Sequence, residues 1–454
     1  MICAPQNDPL TLKNFNDLRQ LFPSLKGMYV VKSSEISGFY RLSPEERLRL
    51  VTEFAGLDDA EAELLRRSGA LSIQQANQMI ENVIGVTGLP VGIATNFLIN
   101  GKDYLIPMVI EEPSVVAAAS NAAKMARVRG GFQTESTLPV MIGQIQLVDV
   151  DNPLAVKEKI IGEMSRILAK ANEQDPVLVR LGGGAVGLDV RIINSAIGPM
   201  IIIHLLVDVR DAMGANVVNT MCEAVAPMIE ELTGGRVFLR IVSNLAVHRL
   251  ARAKAVFSKE ALGGEEVVDG ILRAYEFAVA DPFRGATHNK GIMNGIIAVA
   301  LATMNDTRAL EAGAHAYAAI GGTYRPLSHW SMTPDGDLAG SIELPVAVGV
   351  IGGATAVHPV AKICRKILGM PSARELGEIM AAVGLANNLA AMRALATEGI
   401  QAGHLKLHAK NIAVTAGAEG DLVDVVARRM IEEKKISFDR ALAILRELKE
   451  KLPG

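Results

Sequence analysis

The chain has 454 residues, 50% of them hydrophobic, and a formal net charge of −3. At roughly 100–200 residues per domain, this length predicts two or three domains, and the apolar content excludes a disordered chain. The near balance of charges gives no general basic field, so we expect no nucleic-acid partner.

The cysteines and the N-terminus indicate the compartment. Cys3, Cys222 and Cys364 are widely spaced, and none lies in a C-x-x-C pair. This pattern favours a reduced, cytoplasmic setting over a disulfide framework. The first residues lack a basic region followed by an apolar one, so no secretory signal is expected. The most apolar stretches, 200–207 and 344–351, are too short to span a bilayer, so we expect no membrane partner.

The first motif with catalytic potential is Glu-Glu-Pro-Ser at residues 111–114. An alanine-rich run follows it to Lys124 and predicts a closely packed helix. A glutamate at such a helix start, here Glu112, can satisfy the helix dipole or act as an acid. The residues alone leave both interpretations open.

Residues 139–242 read as a distinct unit. Its predicted elements are, in chain order, strand 139–148, helix 154–171, strands 188–193 and 200–207 joined by a hairpin, helix 211–232 and strand 237–242. The order β-α-β-β-α-β is the signature of a ferredoxin-like domain. The sequence before and after this unit then forms one larger, mainly helical domain.

Two segments compete for a dinucleotide. Residues 182–187 match G-x-G-x-x-G, but that fingerprint requires its third glycine to open a helix, and the residues after it alternate as a strand. We therefore expect a tight turn there. Asp211-Ala-Met-Gly-Ala-Asn216 is a better site, because a capped helix start presents free N–H groups to a pyrophosphate and Gly214 permits close approach. Asp211 as a plain helix cap is the alternative.

The most informative segment is Thr287-His-Asn-Lys-Gly-Ile-Met-Asn-Gly295, in which Lys290 stands between asparagines and glycines. A cation flanked by amides and reachable by carboxylates can polarise a carbonyl and assist proton delivery to the oxyanion. Residue chemistry alone leaves carbonyl reduction and acyl transfer open. Asp306, further along, reads by itself as a surface turn.

The C-terminal residues from about 401 read as a separate piece with charged helices at 421–429 and 438–449. By themselves they read as an ordinary pair of surface helices. His404 and His408 are spaced i, i+4, but no glutamate follows His404 and no third ligand is indicated, so we predict no metal site.

Several of these segments resemble, almost word for word, motifs of the hydroxymethylglutaryl-coenzyme A reductase family, in particular its class II branch. The segments that carry the likeness are Arg41-Leu-Ser-Pro, Glu81-Asn-Val-Ile-Gly85, Glu111-Glu-Pro-Ser114, Asp211-Ala-Met-Gly-Ala-Asn216, the lysine segment and Gly403-His404. They occur in one order and span nearly the whole chain.

The resemblance implies an α+β multidomain fold. A large, mainly helical substrate-binding domain would comprise residues 1–138 and 243–400, with the ferredoxin-like cofactor domain inserted at 139–242 and a C-terminal helical flap at 401–454. It also implies a homodimer with the active site at its interface, possibly assembled further.

The resemblance assigns roles to individual residues. Its catalytic set is Glu112 as proton donor to the reduced carbonyl, Lys290 as oxyanion partner, Asp306 between those two, and His404 as the acid that protonates the departing thiolate. Its substrate-binding set is Ser114, Asn244, Arg284 and Asn294 around the acyl part, with Arg284 pairing the free carboxylate, and Arg41 and Asn82 near coenzyme A.

The cofactor set implied by the resemblance is Asp175, Asp211, Met213, Gly214 and Asn216. Unaided, Asp175 reads as a solvated residue that ends a helix. The family comparison places it where NAD-preferring members carry an aspartate, which favours a ribose 2′-hydroxyl and repels a 2′-phosphate. NAD(H) is therefore expected in preference to NADP(H).

The predicted function is interconversion of 3-hydroxy-3-methylglutaryl-coenzyme A and mevalonate plus coenzyme A, by two successive hydride transfers with NAD(H). The alternatives are a coenzyme A-dependent acyltransferase without hydride transfer and a non-enzymatic acyl-coenzyme A-binding protein. The sequence leaves the physiological direction open.

Overall fold

A computed structural model describes residues 33–67, 71–397 and 409–449. His404 and His408 lie outside the described residues. The first part of the described chain contains a short 3-10 helix at Phe39–Arg41 and the elements α1 Pro44–Ala55, α2 Asp59–Arg66, α3 Ile73–Met79, β1 Val91–Ile99, β2 Lys102–Val109, α4 Val115–Arg127 and β3 Gln133–Ser136.

The first three helices begin at residues that favour helix starts. Ser43, Asp58 and Ser72 each accept a hydrogen bond from the backbone N–H three residues on, and the side chain at that position bonds back to the cap. These reciprocal pairs satisfy two N–H groups that a helix terminus otherwise leaves free. Strands β1 and β2 form an antiparallel hairpin.

A four-stranded antiparallel sheet occupies the middle of the chain. Its elements are β4 Val140–Val148, α5 Pro153–Gly162, α6 Met164–Asn172, α7 Pro176–Arg180, β5 Gly184–Ser195, β6 Gly198–Asp208, α8 Ala215–Thr233 and β7 Arg236–Ser243. The strand order is β5-β6-β4-β7. Strands and helices follow the predicted β-α-β-β-α-β order, with the first helical stretch divided into three helices, and the predicted hairpin joins β5 to β6.

The prediction of one continuous helix over residues 154–171 is wrong. The helix is interrupted at Glu163, whose φ of −94° and ψ of 10° depart from helical values. Ile160 and Ile167 are fully buried on either side of the break, whereas Ile161 is 43% exposed. Two short helices thus bury Ile160 on one side and Ile167 and Ala171 on the other, where a single helix would present one continuous stripe.

The second large part of the chain surrounds another antiparallel sheet, of order β3-β8-β10-β9. Its elements are β8 Leu250–Phe257, α9 Lys259–Leu262, α10 Glu265–Ala280, α11 Pro282–Ala302, α12 Thr307–Ala318, β9 Ser328–Met332, β10 Leu338–Pro345, α13 Gly353–Val357, α14 Pro359–Ile367 and α15 Ala373–Ala396. The last described helices are α16 Leu422–Glu432 and α17 Phe438–Lys449.

Helix α15 is the one described helix that is long and apolar enough to cross a membrane by length and composition. Of its most apolar window, 67% is buried inside the molecule, as in the core helix of a soluble protein. The expectation that no apolar stretch reaches this length therefore does not hold for α15. This helix packs against α11, α10 and α4.

Buried side chains gather in distinct clusters. The largest surrounds α4, α11 and α15. A second lies between the β5-β6-β4-β7 sheet and its helices, and it also takes in Ala246 and Ala347. A third is formed by residues 409–445 around α16 and α17. The second cluster connects two parts of the fold, because Ala347 reaches it from the segment after β10.

Candidate active site

Lys290 and Glu112 form the centre of the candidate site. Lys290 lies in the middle of α11, and Glu112 lies on the turn that leads into α4. The fold joins these residues, which are 178 positions apart, through a contact of 3.0 Å between Lys290 Nζ and Glu112 Oε2. The lysine side chain is 60% exposed and the glutamate 31%. A substrate can therefore reach both groups.

The residue before Lys290 holds α11 in place. Asn289 is fully buried. Its Nδ2 donates to the carbonyl of Arg325 at 2.9 Å, and its Oδ1 accepts from the backbone N–H of Leu327 at 2.9 Å. One amide thus satisfies a donor and an acceptor of the loop before β9. Asn289 was not among the predicted site residues, although a polar residue on the buried side of an apolar helix is a signal for such a role.

His288 supports the same helix from a buried polar cluster. Its Nε2 lies 2.7 Å from Ser328 Oγ and 3.1 Å from Asn388 Nδ2, and the indole N–H of Trp330 donates to Asn388 Oδ1 at 2.8 Å. Burial, with the nearby charge of Arg284 as a smaller cause, lowers the pKa of His288 to about 3. The imidazole is therefore neutral at physiological pH and serves as an anchor rather than a proton carrier.

Ser114 begins α4 in an unusual backbone conformation. Its φ is +80°, in the left-handed region that residues other than glycine rarely adopt. Its hydroxyl makes no capping hydrogen bond. Such backbone strain persists only where the surroundings fix it. The turn that carries Glu112 is thus tightly determined by the fold.

Asp306, predicted to lie between Lys290 and Glu112, stands at the start of a helix, and its catalytic role stays a prediction. It caps α12, and its Oδ1 accepts from the backbone N–H groups of Arg308 and Ala309 at 2.9 and 3.1 Å. Within the described part of the chain, no hydrogen bond or ion pair joins Asp306 to Lys290 or Glu112, which contact each other directly. Capping draws this carboxylate toward its own helix.

Of the three other predicted contacts to the acyl part, two lie on α11 and one follows β7. Arg284 lies in the first turns of α11, and burial lowers its pKa from the usual value. Among the described side chains it has no hydrogen bond or ion pair, so the guanidinium has donors free for an anion. Asn294, one turn after Lys290, is half-buried, and Asn244 is exposed just after β7.

The loop at residues 211–214 is built differently from the prediction. Asp211 does not cap α8; Gly214, with φ of 104°, stands at the cap position and offers no side chain. Asp211 Oδ1 instead accepts the backbone N–H of Ala373 at 2.8 Å. The first N–H groups of α8 are thus left without a side-chain partner, and the positive end of the helix dipole is open to an anion. Met213 and Asn216 flank this opening.

Asp175 begins a helix rather than ending one. Its Oδ1 accepts the backbone N–H of Leu178 at 2.9 Å and so caps α7. Its half-buried carboxylate keeps a second oxygen for another donor. The prediction from the residues alone, that Asp175 ends a helix, is therefore wrong. Its role toward a ribose stays a prediction.

The glycine run at 182–184 leads into a strand, as predicted, since Gly184 is the first residue of β5. The run has a packing reason. A Cβ on Gly183 would lie 2.6 Å from the carbonyl oxygen of Asp208, and one on Gly182 would lie 2.9 Å from Arg210 Nη2. The glycines thus let α7 pack close to the end of β6. Asp175 caps α7, and β6 ends just before the 211–214 loop.

A cavity of about 1620 Å³ opens beside α4. Arg41 is in its lining, and the other basic side chains there are Arg47, Arg66, Arg67 and Lys124. Asn82 is exposed, with φ of 55°, and is not part of the lining. The described residues contain no group of three side chains suited to hold a metal ion.

Comparison with known proteins decides the family. The family model described as hydroxymethylglutaryl-coenzyme A reductase matches residues 43–409. The chain belongs to this family. It is 61% identical to the 3-hydroxy-3-methylglutaryl-coenzyme A reductase of Archaeoglobus fulgidus over 417 residues, which cover 92% of this chain and 95% of that protein.

More distant reductases agree. A probable reductase of Borreliella burgdorferi is 36% identical over 388 residues, covering 82% of this chain and 86% of the relative. A solved class II reductase from Streptococcus pneumoniae, bound to NADPH in open conformations, is 41% identical with a TM-score of 0.77 and covers 90% of this chain and all of that one. The reductase prediction is thereby confirmed, and the acyltransferase and sensor alternatives gain no support.

Proposed function

We propose that this reductase converts hydroxymethylglutaryl-coenzyme A to mevalonate at the Lys290 and Glu112 pair, using NADH in preference to NADPH. The contact of 3.0 Å between these exposed side chains carries the proposal. A cation and a carboxyl group this close would both reach one reacting oxygen, which is what carbonyl reduction requires.

A nicotinamide dinucleotide fits the loop at residues 211–214. The start of α8 has no side-chain cap, because Gly214 at the cap position has no side chain to occupy its N–H groups. Those groups and the helix dipole suit a pyrophosphate. When bound, the cofactor would supply the hydride for each reduction.

The chain's own residues manage charge and protons. Lys290 holds the negative oxygen that develops when the thioester carbonyl is reduced. His404, assigned by the resemblance, protonates coenzyme A thiolate as the carbon–sulfur bond breaks and leaves an aldehyde. Lys290 then holds the aldehyde oxygen through the second reduction, and Glu112 gives it the proton that completes the alcohol of mevalonate. Each acid or base of this kind contributes roughly 10²–10⁴ in rate.

Arg284 is proposed to pair the free carboxylate of the acyl group. Its guanidinium is half-buried, and the described residues offer it no competing ion pair. A planar fork binds a carboxylate through two parallel hydrogen bonds. Ser114, Asn244 and Asn294 complete the proposed acyl site, and Asp306 is proposed to lie between Lys290 and Glu112, as the resemblance implies.

Coenzyme A is proposed to occupy the basic cavity beside α4. Five basic side chains, Arg41 among them, line a space of about 1620 Å³. Its lining includes Ser120 and Asn121 on α4, the helix that begins just after Glu112. Glu35 and Glu45 share the lining, and Arg66 pairs with Glu45, so basic groups outnumber acidic ones by five to two, which suits a ligand with several phosphates. Asn82 remains a proposed contact on the neighbouring exposed segment.

Cofactor preference rests on Asp175. Its carboxylate caps α7 beside the 211–214 loop and keeps one oxygen for a ribose hydroxyl. A negative charge there opposes a 2′-phosphate. The Streptococcus pneumoniae relative is bound to NADPH. The preference for NADH is therefore proposed for this chain from Asp175 and is not taken from that relative.

The assembly and domain plan are proposed from the resemblance. The cofactor domain is residues 139–242, the large domain is 1–138 and 243–400, and the flap is 401–454, with two chains sharing each active site. The separate core clusters at the four-stranded sheet and at residues 409–445 support this division.

Stoichiometry tests the function. Hydroxymethylglutaryl-coenzyme A is added to the purified protein with NADH, and both cofactor absorbance and free thiol are followed. The account predicts two cofactor molecules oxidised for each coenzyme A thiol released. Thiol release without cofactor oxidation would point instead to acyl transfer or hydrolysis.

A further inference from the structure

One short segment, residues 346–350, touches both functional parts of the chain. Its side chains alternate between two cores: Val346, Val348 and Val350 belong to the large cluster, whereas Ala347 belongs to the cluster under the four-stranded sheet. All four side chains are buried. Val348 N–H donates to the carbonyl of Val346 at 3.2 Å in a tight turn, and membership of both clusters shows that the segment lies between the two cores.

The segment is bonded to the loop at residues 211–214. Val350 N–H donates to the carbonyl of Asp211 at 2.9 Å. A Cβ added to Gly349 would lie 2.5 Å from the backbone nitrogen of Met213, so only glycine lets the two backbone segments approach this closely. The proposed cofactor loop thus rests directly on this segment.

A buried arginine closes the contact. Arg249 is 5% exposed. Its Nη1 donates to the carbonyls of Ala212 and Met213 at 3.1 and 2.9 Å, and its Nη2 donates to the carbonyl of Val348. Burial lowers the pKa of Arg249 to about 10, so the group stays charged at neutral pH. One guanidinium therefore ties the loop to the segment.

The other side of the segment meets the turn after α11. Gly349 N–H donates to Asn305 Oδ1 at 2.8 Å. Asn305 Nδ2 donates to Thr303 Oγ1 at 3.0 Å, and its own N–H donates to the carbonyl of Ala300 on α11. The turn therefore continues the helix that carries Lys290 and leads into Asp306.

We propose that residues 346–350 are a positioning element that sets the cofactor loop at 211–214 against the end of the catalytic helix α11. Gly349 packs against the loop at Met213 and donates a hydrogen bond to Asn305 on the other side. Arg249 hydrogen-bonds the segment to the loop. This inference rests on the proposed function, because it assumes that the loop binds the dinucleotide. It makes a specific demand: Asn305, on the substrate side, must influence cofactor affinity.

The test measures NADH binding by fluorescence and hydroxymethylglutaryl-coenzyme A binding by calorimetry. Gly349→Ala should weaken NADH binding about tenfold, which corresponds to about 1.4 kcal/mol. Asn305→Leu removes the acceptor for Gly349 N–H and should weaken NADH binding about fivefold. Affinity for hydroxymethylglutaryl-coenzyme A should stay within about twofold in both variants, a split that general loss of structure would not produce.

Conservative and control variants sharpen the result. Asn305→Asp keeps the acceptor oxygen and should restore most of the NADH affinity. Gly187→Ala, in β5, is the matched glycine control, because its Cβ would meet only Leu206 Cδ1 at an ordinary 3.6 Å. It should bind NADH as the wild type does.

The outcomes separate the two claims. NADH affinity equal to that of the wild type in both Gly349→Ala and Asn305→Leu would overturn the inference and leave the proposed function intact. If Gly349→Ala fails to fold, the comparison of Asn305→Leu with Asn305→Asp decides. Absence of binding of both NADH and NADPH by the wild type would contradict the proposed cofactor site, and the inference with it.

Discussion

Asp211 Oδ1 accepts a hydrogen bond from the backbone N–H of Ala373, 2.8 Å away and 162 positions later in the chain. This bond satisfies an N–H at the first residue of α15 and attaches the proposed cofactor loop to the central helix of the large core. It also leaves the start of α8 without a side-chain cap. One carboxylate thus both fixes the loop and keeps its N–H groups open.

Replacing Asp211 should therefore affect stability and cofactor use together. Asp211→Ala leaves the Ala373 N–H without its acceptor, at a cost of about 1–3 kcal/mol in the free energy of unfolding. The loop loses its attachment, so the KM for NADH should rise while the KM for hydroxymethylglutaryl-coenzyme A changes little. Denaturant unfolding and steady-state kinetics measure these effects.

Asp211→Asn is the matched control because it keeps an acceptor oxygen. It should recover most of the lost stability. If Asp211→Ala instead unfolds at the same denaturant concentration as the wild type, the bond to Ala373 contributes nothing to stability.

His288 should make stability depend on pH. Its pKa is depressed from 6.5 to about 3 in the folded protein, because burial disfavours the charged ring. The unfolded state binds this proton first, so the contribution is fully present above pH 6.5. As the pH falls from 6.5 toward 3, stability is lost by up to about 1.4 kcal/mol per pH unit.

His288→Gln should remove this component and flatten the dependence between pH 6.5 and 4, as measured by urea unfolding. The exposed His248, on the loop after β7, provides the control: His248→Gln should leave the slope unchanged. An unchanged slope in His288→Gln would mean that the imidazole is not held neutral.

Much of the fold follows from local pattern, and the exceptions have tertiary causes. The four strands of the middle sheet and the hairpin between β5 and β6 follow from alternating apolar residues and turn signals. The turn at residues 182–184 is predictable because no helix follows it. The break at Glu163 is not, because the apolar period continues across it and residues on both sides are buried in the same cluster.

The site was predictable in its exposed groups and not in its supports. Lys290 and Glu112 were assigned from resemblance to the family, since nothing local links two residues 178 positions apart. The prediction of Asp211 as a helix cap is wrong, because an aspartate before a helix usually caps it and the competing partner is distant in sequence. Asn289 and His288 act through partners on the loop before β9, on β9 and on α15, which only the folded chain brings to α11.

Asp175 should govern the choice of cofactor. Asp175→Asn removes the charge but keeps an acceptor for Leu178 N–H, so α7 remains capped. Loss of repulsion toward a 2′-phosphate should raise kcat/KM for NADPH relative to NADH by at least several-fold, since about 1.4 kcal/mol is tenfold in rate.

Asp58→Asn, at the cap of α2, controls for the change of a capping aspartate elsewhere and should leave the ratio unchanged. A wild type that already prefers NADPH would show the cofactor preference to be wrong, even though the reductase assignment stands.

The central claim is that Lys290 stabilises the negative oxygen formed at each reduction. The most direct measurement is a single-turnover reduction of hydroxymethylglutaryl-coenzyme A by Lys290→Ala, with exposed Lys254→Ala on β8 as the control. Because an exposed ion pair contributes at most about 1 kcal/mol to stability, Lys290→Ala should fold normally. The account predicts a rate lower by roughly 10²–10³, the effect of losing one oxyanion donor, with Lys254→Ala at the wild-type rate. Reduction by folded Lys290→Ala at a rate within about threefold of the wild type would contradict the account.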